Sequence, residues 1–172
     1  GRSRMDTIAD VHRAHHDPHG RITVGVAPHS AYDLGIDRCA ELAELARDLD
    51  TILHLHLAET RNEADELEAA HGGVRTVQLL ADAGVFDGRV LAAHGIWFDE
   101  SDLKTLGQCQ VAVAHCPVSN LKLGSGIAPV AAMQALGMSV GLGTDGPASN
   151  DTLDLWEEVK LAPMLVRVAA HD

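Results

Sequence analysis

Five short apolar runs recur along the chain, and each closes on a side chain that can bind a metal or move a proton. They cover 22–29, 52–57, 89–94, 110–115 and 138–145, and their closing residues are His29, His56, His94, His115 and Asp145. Within a run, side chains alternate between two faces. In the second, Leu53, Leu55 and Leu57 form one face while Ile52, His54 and His56 form the other. In the first, Thr23, Gly25 and Ala27 are small until His29, as in a strand lining a crowded interior.

Between the runs the apolar spacing becomes helical. Helices are predicted over 5–16, 37–49, 61–70, 74–83, 99–106, 127–136 and 152–170, with Pro163 kinking or interrupting the last. Cys39, Leu42, Leu45, Ala46 and Leu49 form the apolar stripe of the second helix. Strand and helix in alternation predict an α/β fold with a parallel sheet and right-handed crossovers. A doubly wound open sheet would share this rhythm. The GxGxxG fingerprint is absent, and small residues alternate with large ones along the strands, so a (β/α) barrel is the better reading. In a parallel sheet all five closing residues lie on one edge, where barrel active sites sit.

The rest of the composition narrows the function. At 172 residues the chain is about one domain, and 46% hydrophobic residues suit a globular core. A net charge of −12 argues against nucleic acid or an anionic membrane as partner. No apolar run approaches the length of a transmembrane helix, and Gly1-Arg2-Ser3-Arg4 lacks a signal-peptide core. Cys39, Cys109 and Cys116 form no CxxC pair, which fits reduced thiols and a cytoplasmic location. His12, His15, His16 and His19 share helical spacing and read as a solvated helix end rather than a chelating cluster.

Four strand-end histidines on one edge, together with Asp145 and Glu59, point to a metal-assisted site. His56 and Asp145 are the leading ligand candidates, since imidazole and carboxylate suit zinc or iron. Glu59, three residues beyond His56, is the candidate proton shuttle. His94 is a candidate third ligand or proton-transfer group, and His29 a candidate substrate contact. His115 serves either chemistry or loop orientation. His54 lies one layer below His56 and reads as a core histidine.

Several segments resemble the amidohydrolase superfamily, in its branch of 5-methylthioadenosine/S-adenosylhomocysteine deaminases and related chlorohydrolases. They are Ala27-Pro28-His29-Ser30, His56-Leu57-Ala58-Glu59-Thr60, Ala92-Ala93-His94-Gly95, the run from His115 through Ser119-Asn120-Leu121-Lys122-Leu123 to Val130, and Gly143-Thr144-Asp145-Gly146 to Asn150. The resemblance implies one divalent metal, zinc before iron. It implies His56 as the strand-five ligand and Asp145 as the strand-eight ligand that also helps activate water. Glu59 would carry protons to the ring nitrogen and leaving group and touch substrate. His94 would match the strand-six histidine that polarises the attacked centre or holds the water, and His29 a substrate-contacting histidine after strand four. The implied reaction is hydrolytic deamination of an adenine nucleoside-type or related N-heterocyclic small molecule, with ammonia as the leaving group. Guanine, 8-oxoguanine, pterin and triazine substrates use the same machinery.

The family carries a His-x-His pair on its first barrel strand. His54-Leu55-His56 has that spacing, but the following Leu57-Ala58-Glu59-Thr60 and the order of the segments place it on strand five. The resemblance therefore implies that residues 1–172 form a single partial (β/α)8 barrel domain of strands four to eight, without strands one to three or the family's β-sandwich. Such an arc has two open edges, which predicts a homo-oligomer or completion by another chain; monomeric sedimentation would count against this. The alternative to a deaminase is a non-catalytic half-barrel that needs a partner chain.

Overall fold

The structure, a computed structural model, describes residues 4–170. Gly1, Arg2 and Ser3, read above as lacking a leader, lie outside the described residues, as do His171 and Asp172. Four strands form one parallel sheet: β1 (Leu53–Leu57), β2 (Val90–His94), β3 (Ala112–His115) and β4 (Val140–Leu142), in spatial order β1-β2-β3-β4. Sequential order with parallel pairing is the arrangement of a barrel wall rather than of a doubly wound sheet. Helices α1 (Arg4–His15), α2 (Ala31–Leu34), α3 (Ile36–Asp48), α4 (Arg61–Ala70), α5 (Thr76–Asp82), α6 (Glu100–Gln108), α7 (Pro117–Lys122), α8 (Val130–Ala135) and α9 (Leu155–Ala170) fill the connections.

The first predicted strand, over 22–29, is not a regular strand. It runs beside β1 but pairs only at Val26 with Leu53 and at Ser30 with His56. Val26 N–H donates to Ile52 O and His54 N–H to Val26 O, both at 2.9 Å. Two residues on, the ladder needs an N–H from Pro28, which has none. The pairing slips, and His56 N–H bonds His29 O instead at 2.9 Å. The last predicted strand, over 138–145, shortens to β4, so Asp145 stands on the loop beyond it. Two short helices were not predicted, α2 and α7; Ser30 caps the first through Asp33 N–H, and Pro117 starts the second. The last helix is assigned without a break through Pro163.

Alternation on β1 sorts its side chains. Leu53, Leu55 and Leu57 are each 1% exposed and pack among the helices with Cys39, Leu42, Ala46, Leu80 and Leu106. His54 and His56 face the other way, into the barrel interior. His54 is exposed there rather than satisfied in a core, because this face of the sheet lies open. Leu55→Ala is expected to destabilise the fold by about 2–5 kcal/mol, the range for a cavity left by a buried leucine, read as a lower urea midpoint.

Capping chemistry fixes the loops. Thr60 and Glu63 form a capping box on α4, and Asp99 and Asp102 form another on α6. Buried Asp102 also pairs with Arg75, which reaches Asp99 at 3.2 Å. At the N-terminal end, His12 and His16 stack at 4.2 Å, and His16 Nδ1 accepts Val24 N–H at 3.0 Å. These two histidines are thus partly built into the fold, while His15 and His19 are exposed. Along α9, Trp156 is 79% exposed, and Leu155, Val159, Met164 and Val168 are also exposed.

Candidate active site

The sheet register brings the strand ends to one level, with Leu57 opposite His94 and His115 opposite Leu142. Beyond them the backbone turns sharply. Ala58, His94 and Asp145 hold φ of +53°, +73° and +60°. Left-handed conformations in residues with a Cβ cost energy and cluster at functional sites. Here they turn the chain just where side chains leave the sheet edge.

Ligand atoms of His56, His94 and Asp145 lie within 4.8 Å of one another, the one such trio found among the described residues. Each has a neighbour that orients it. His56 Nδ1 lies 2.8 Å from His29 O, so it carries the proton and leaves Nε2 free to accept. His94 Nδ1 bonds Asn120 Oδ1 at 2.9 Å, and its buried Nε2 has no hydrogen-bond partner. Asp145 Oδ2 accepts the hydroxyls of Ser119 at 2.7 Å and Ser149 at 2.5 Å. Burial alone would raise the Asp145 carboxyl pKa, but the Ser149 and Ser119 hydroxyls, Gly146 N–H and His94 outweigh it and hold it below the usual carboxylate range. Two imidazole nitrogens and an ionised carboxylate are the donor chemistry of zinc or iron sites, and each ligand has the outer hydrogen bond such sites use.

Glu59 follows the β1 turn and precedes the Thr60 cap, which anchors it at the mouth of this cluster. Its Oε2 lies 3.8 Å from His94 Nε2. His29 stands on the other side of His56, with ring centroids 4.8 Å apart, and its Nδ1 meets Ser30 Oγ at 3.1 Å. A cavity of about 330 Å³ runs along the inner face of the sheet beside them, lined by His29, His54, His56, Ala93, Gly143 and Asp145. Its small residues leave room for a ligand. Glu59, His29, His56, His94 and Asp145 thus come together on this edge, and His115 does not join them.

Two neighbours take no part. Cys116 reaches the same cavity, but burial, with Asp145 and Glu158 nearby, pushes its thiol up to about 12, so it stays protonated. His115 turns the other way, 1% exposed, towards Val130, Val140, Val159 and Val166, and neither ring nitrogen has a hydrogen bond. It therefore neither faces the cavity nor orients a loop by hydrogen bonding. Burial, and then His94, lowers its pKa from 6.5 to about 4. The folded state binds this proton less readily than the unfolded chain, so the penalty is absent above about pH 6.5. It grows as pH falls from 6.5 to about 4 and then levels at about 3 kcal/mol. Urea unfolding at several pH values should show this acid loss in the wild type and a smaller one in His115→Leu.

Sequence reasoning gave no role to Asn120, Ser119 or Ser149, which orient the trio. The signal was present: Ser119 and Asn120 follow His115 by four and five residues, on the loop of the strand beside His94.

A strand-edge trio with an adjacent carboxylate thus lies on the edge of a partial (β/α)8 wall where the sites of barrel proteins sit. The amidohydrolase family profile matches residues 2–172, and the chain belongs to this family. It is 44% identical over 153 residues to a 5-methylthioadenosine/S-adenosylhomocysteine deaminase of Pelotomaculum thermopropionicum, covering 89% of this chain and 35% of that protein. It is 41% identical over 152 residues to a 5'-deoxyadenosine deaminase of Methanothermobacter thermautotrophicus, covering 88% and 35%. Among solved structures, an adenosine deaminase from Xanthomonas campestris with bound zinc superposes with a TM-score of 0.89 at 33% identity, over 97% of this chain and 38% of that one. A zinc-complexed atrazine chlorohydrolase from Arthrobacter aurescens gives 0.86 at 26% identity, over 96% and 36%. The chain thus spans about a third of the length of the curated relatives it matches. No helix among the described residues is long and apolar enough to cross a membrane.

Proposed function

We propose that this chain carries the site of a metal-dependent hydrolytic deaminase acting on adenine nucleoside-type small molecules. The observation that carries the reading is the convergence of His56, His94 and Asp145, each oriented from behind, with Glu59 Oε2 beside His94 Nε2. His56 and Asp145 would hold one divalent metal, zinc before iron, with His94 as a third ligand or as the group that holds the attacking water. A metal held there would supply Lewis acidity and lower the pKa of water.

The chain's own groups do the rest. Glu59 Oε2 takes one proton from the water and gives it to the ring nitrogen, where it stays in the product. Asp145, kept ionised by its two serine donors, accepts the second water proton, which returns through Glu59 to the amine that departs as ammonia. His29, beside His56 in the cavity lining, contacts the substrate. Three free cysteines fit a cytoplasmic setting. The exposed apolar residues of α9 support a covering surface from another copy or chain around the single domain of 1–172.

The test is ammonia release from 5-methylthioadenosine, S-adenosylhomocysteine and 5'-deoxyadenosine, with guanine and a triazine as comparators, by the zinc-loaded protein. Turnover of the adenine nucleosides is expected. Turnover of guanine or triazine alone would reassign the substrate, and none at all with metal bound would reject the reaction.

A further inference from the structure

We propose that Glu158 is a positioning residue of this site, tying the loop after β3 to the loop after β4 so that the metal ligands keep their aim. The inference rests on the metal reading above. Glu158 is 0% exposed, and it is the one buried residue among those described in α9, a helix otherwise half-buried or exposed. Nothing about the reaction requires a carboxylate there; its role lies in what its two oxygens hold.

Oε2 accepts Val118 N–H at 3.0 Å, and Oε1 accepts Asn150 Nδ2 at 2.6 Å. Val118 is the second residue of α7, where backbone N–H groups lack a partner within the helix. The two residues after it are Ser119, which donates to Asp145, and Asn120, which holds His94. On the other side, Asn150 Oδ1 accepts Leu153 N–H at 3.0 Å, closing the turn that follows β4. Its neighbour Ser149 gives the second hydroxyl to Asp145. One carboxylate therefore joins both segments that orient Asp145, and the segment that orients His94.

The requirement is for an acceptor at both ends. Glutamine has the same shape but ends in one acceptor and one donor. Facing Val118 N–H and Asn150 Nδ2, it must turn its NH2 towards one of two donors. Rotating Asn150 to compensate would take Oδ1 away from Leu153 N–H. Glu158→Gln thus loosens one loop with little change in volume.

The experiment measures zinc affinity of the 172-residue chain by chelator competition for wild type, Glu158→Gln, Ser119→Ala and the double variant. Glu158→Gln is expected to weaken zinc about 10-fold, the low end of the range for loss of a group bonded directly to a ligand, because Glu158 acts one residue further out. The double variant should lose less than the product of the two single losses, because both act through Asp145. Leu106→Ala, a core change distant in role, should lower stability with zinc affinity kept. Zinc affinity unchanged in Glu158→Gln, or full additivity with Ser119→Ala, would overturn the proposal. Should Glu158→Gln fail to fold, Asn150→Ser breaks the same tie from its other end, with the same two outcomes. A wild-type chain that takes up no zinc refutes the metal reading instead. Imidazole NMR of the metal-free chain then decides Glu158 alone: a shifted or broadened His94 Nδ1–H signal in Glu158→Gln supports it, and an unchanged one overturns it.

Discussion

Glu59→Gln is expected to lower deamination by about 10²–10⁴-fold, the contribution of a positioned acid–base group, while fold and metal content stay as in wild type. The argument is local. Glu59 sits between the Ala58 turn and the Thr60 cap, and the capping box on α4 uses Glu63 rather than Glu59. The glutamine side chain fills the same space but cannot take a proton from water and return it to the leaving amine. Its partner across 3.8 Å is His94 Nε2, which the change leaves in place. Steady-state turnover with circular dichroism and elemental analysis separates the two effects. Turnover within a few-fold of wild type would remove Glu59 from the mechanism.

Asp145→Ala is expected to weaken zinc by at least about 10²-fold, more than loss of an outer-shell partner costs, and to abolish turnover. Asp145 supplies the anionic donor of the trio, and the change also strips Ser119 and Ser149 of their shared acceptor. Two hydroxyls aimed at an empty position rearrange, so the loops after β3 and β4 lose their common anchor. Ser119→Ala and Ser149→Ala singly leave the carboxylate in place and should cost much less. Chelator competition on the four proteins checks the order; a Ser119→Ala loss equal to that of Asp145→Ala would mean that the carboxylate does not bind the metal.

The sequence pattern carried the wall of the fold well where burial enforces it. The leucines of β1 alternate with histidines because one face meets helices and the other does not, and this is visible in the letters. So is helix 61–70, whose Thr60 and Glu63 announce its start. What failed to show were effects of single backbone atoms. Pro28 removes one N–H and turns a strand into two isolated bridges. The short helix α7 carries no full apolar period, so it read as loop. His54 read as buried because its period matches His56, but the face that period points to is open.

The site divides in the same way. The candidates His29, His56, His94 and Asp145 could be named from the sequence because each closes an apolar run and parallel runs bring their ends to one edge. The groups that aim them could not be, because Asn120, Ser119 and Glu158 reach their targets across 26, 26 and 40 residues of chain. No local period encodes such contacts.

The most direct measurement is the divalent metal content of the purified chain after dialysis, by elemental analysis. The account predicts about one zinc or iron per chain, lost in Asp145→Ala and in His56→Ala. Absence of bound metal in the wild type, with no uptake of added zinc, would contradict it.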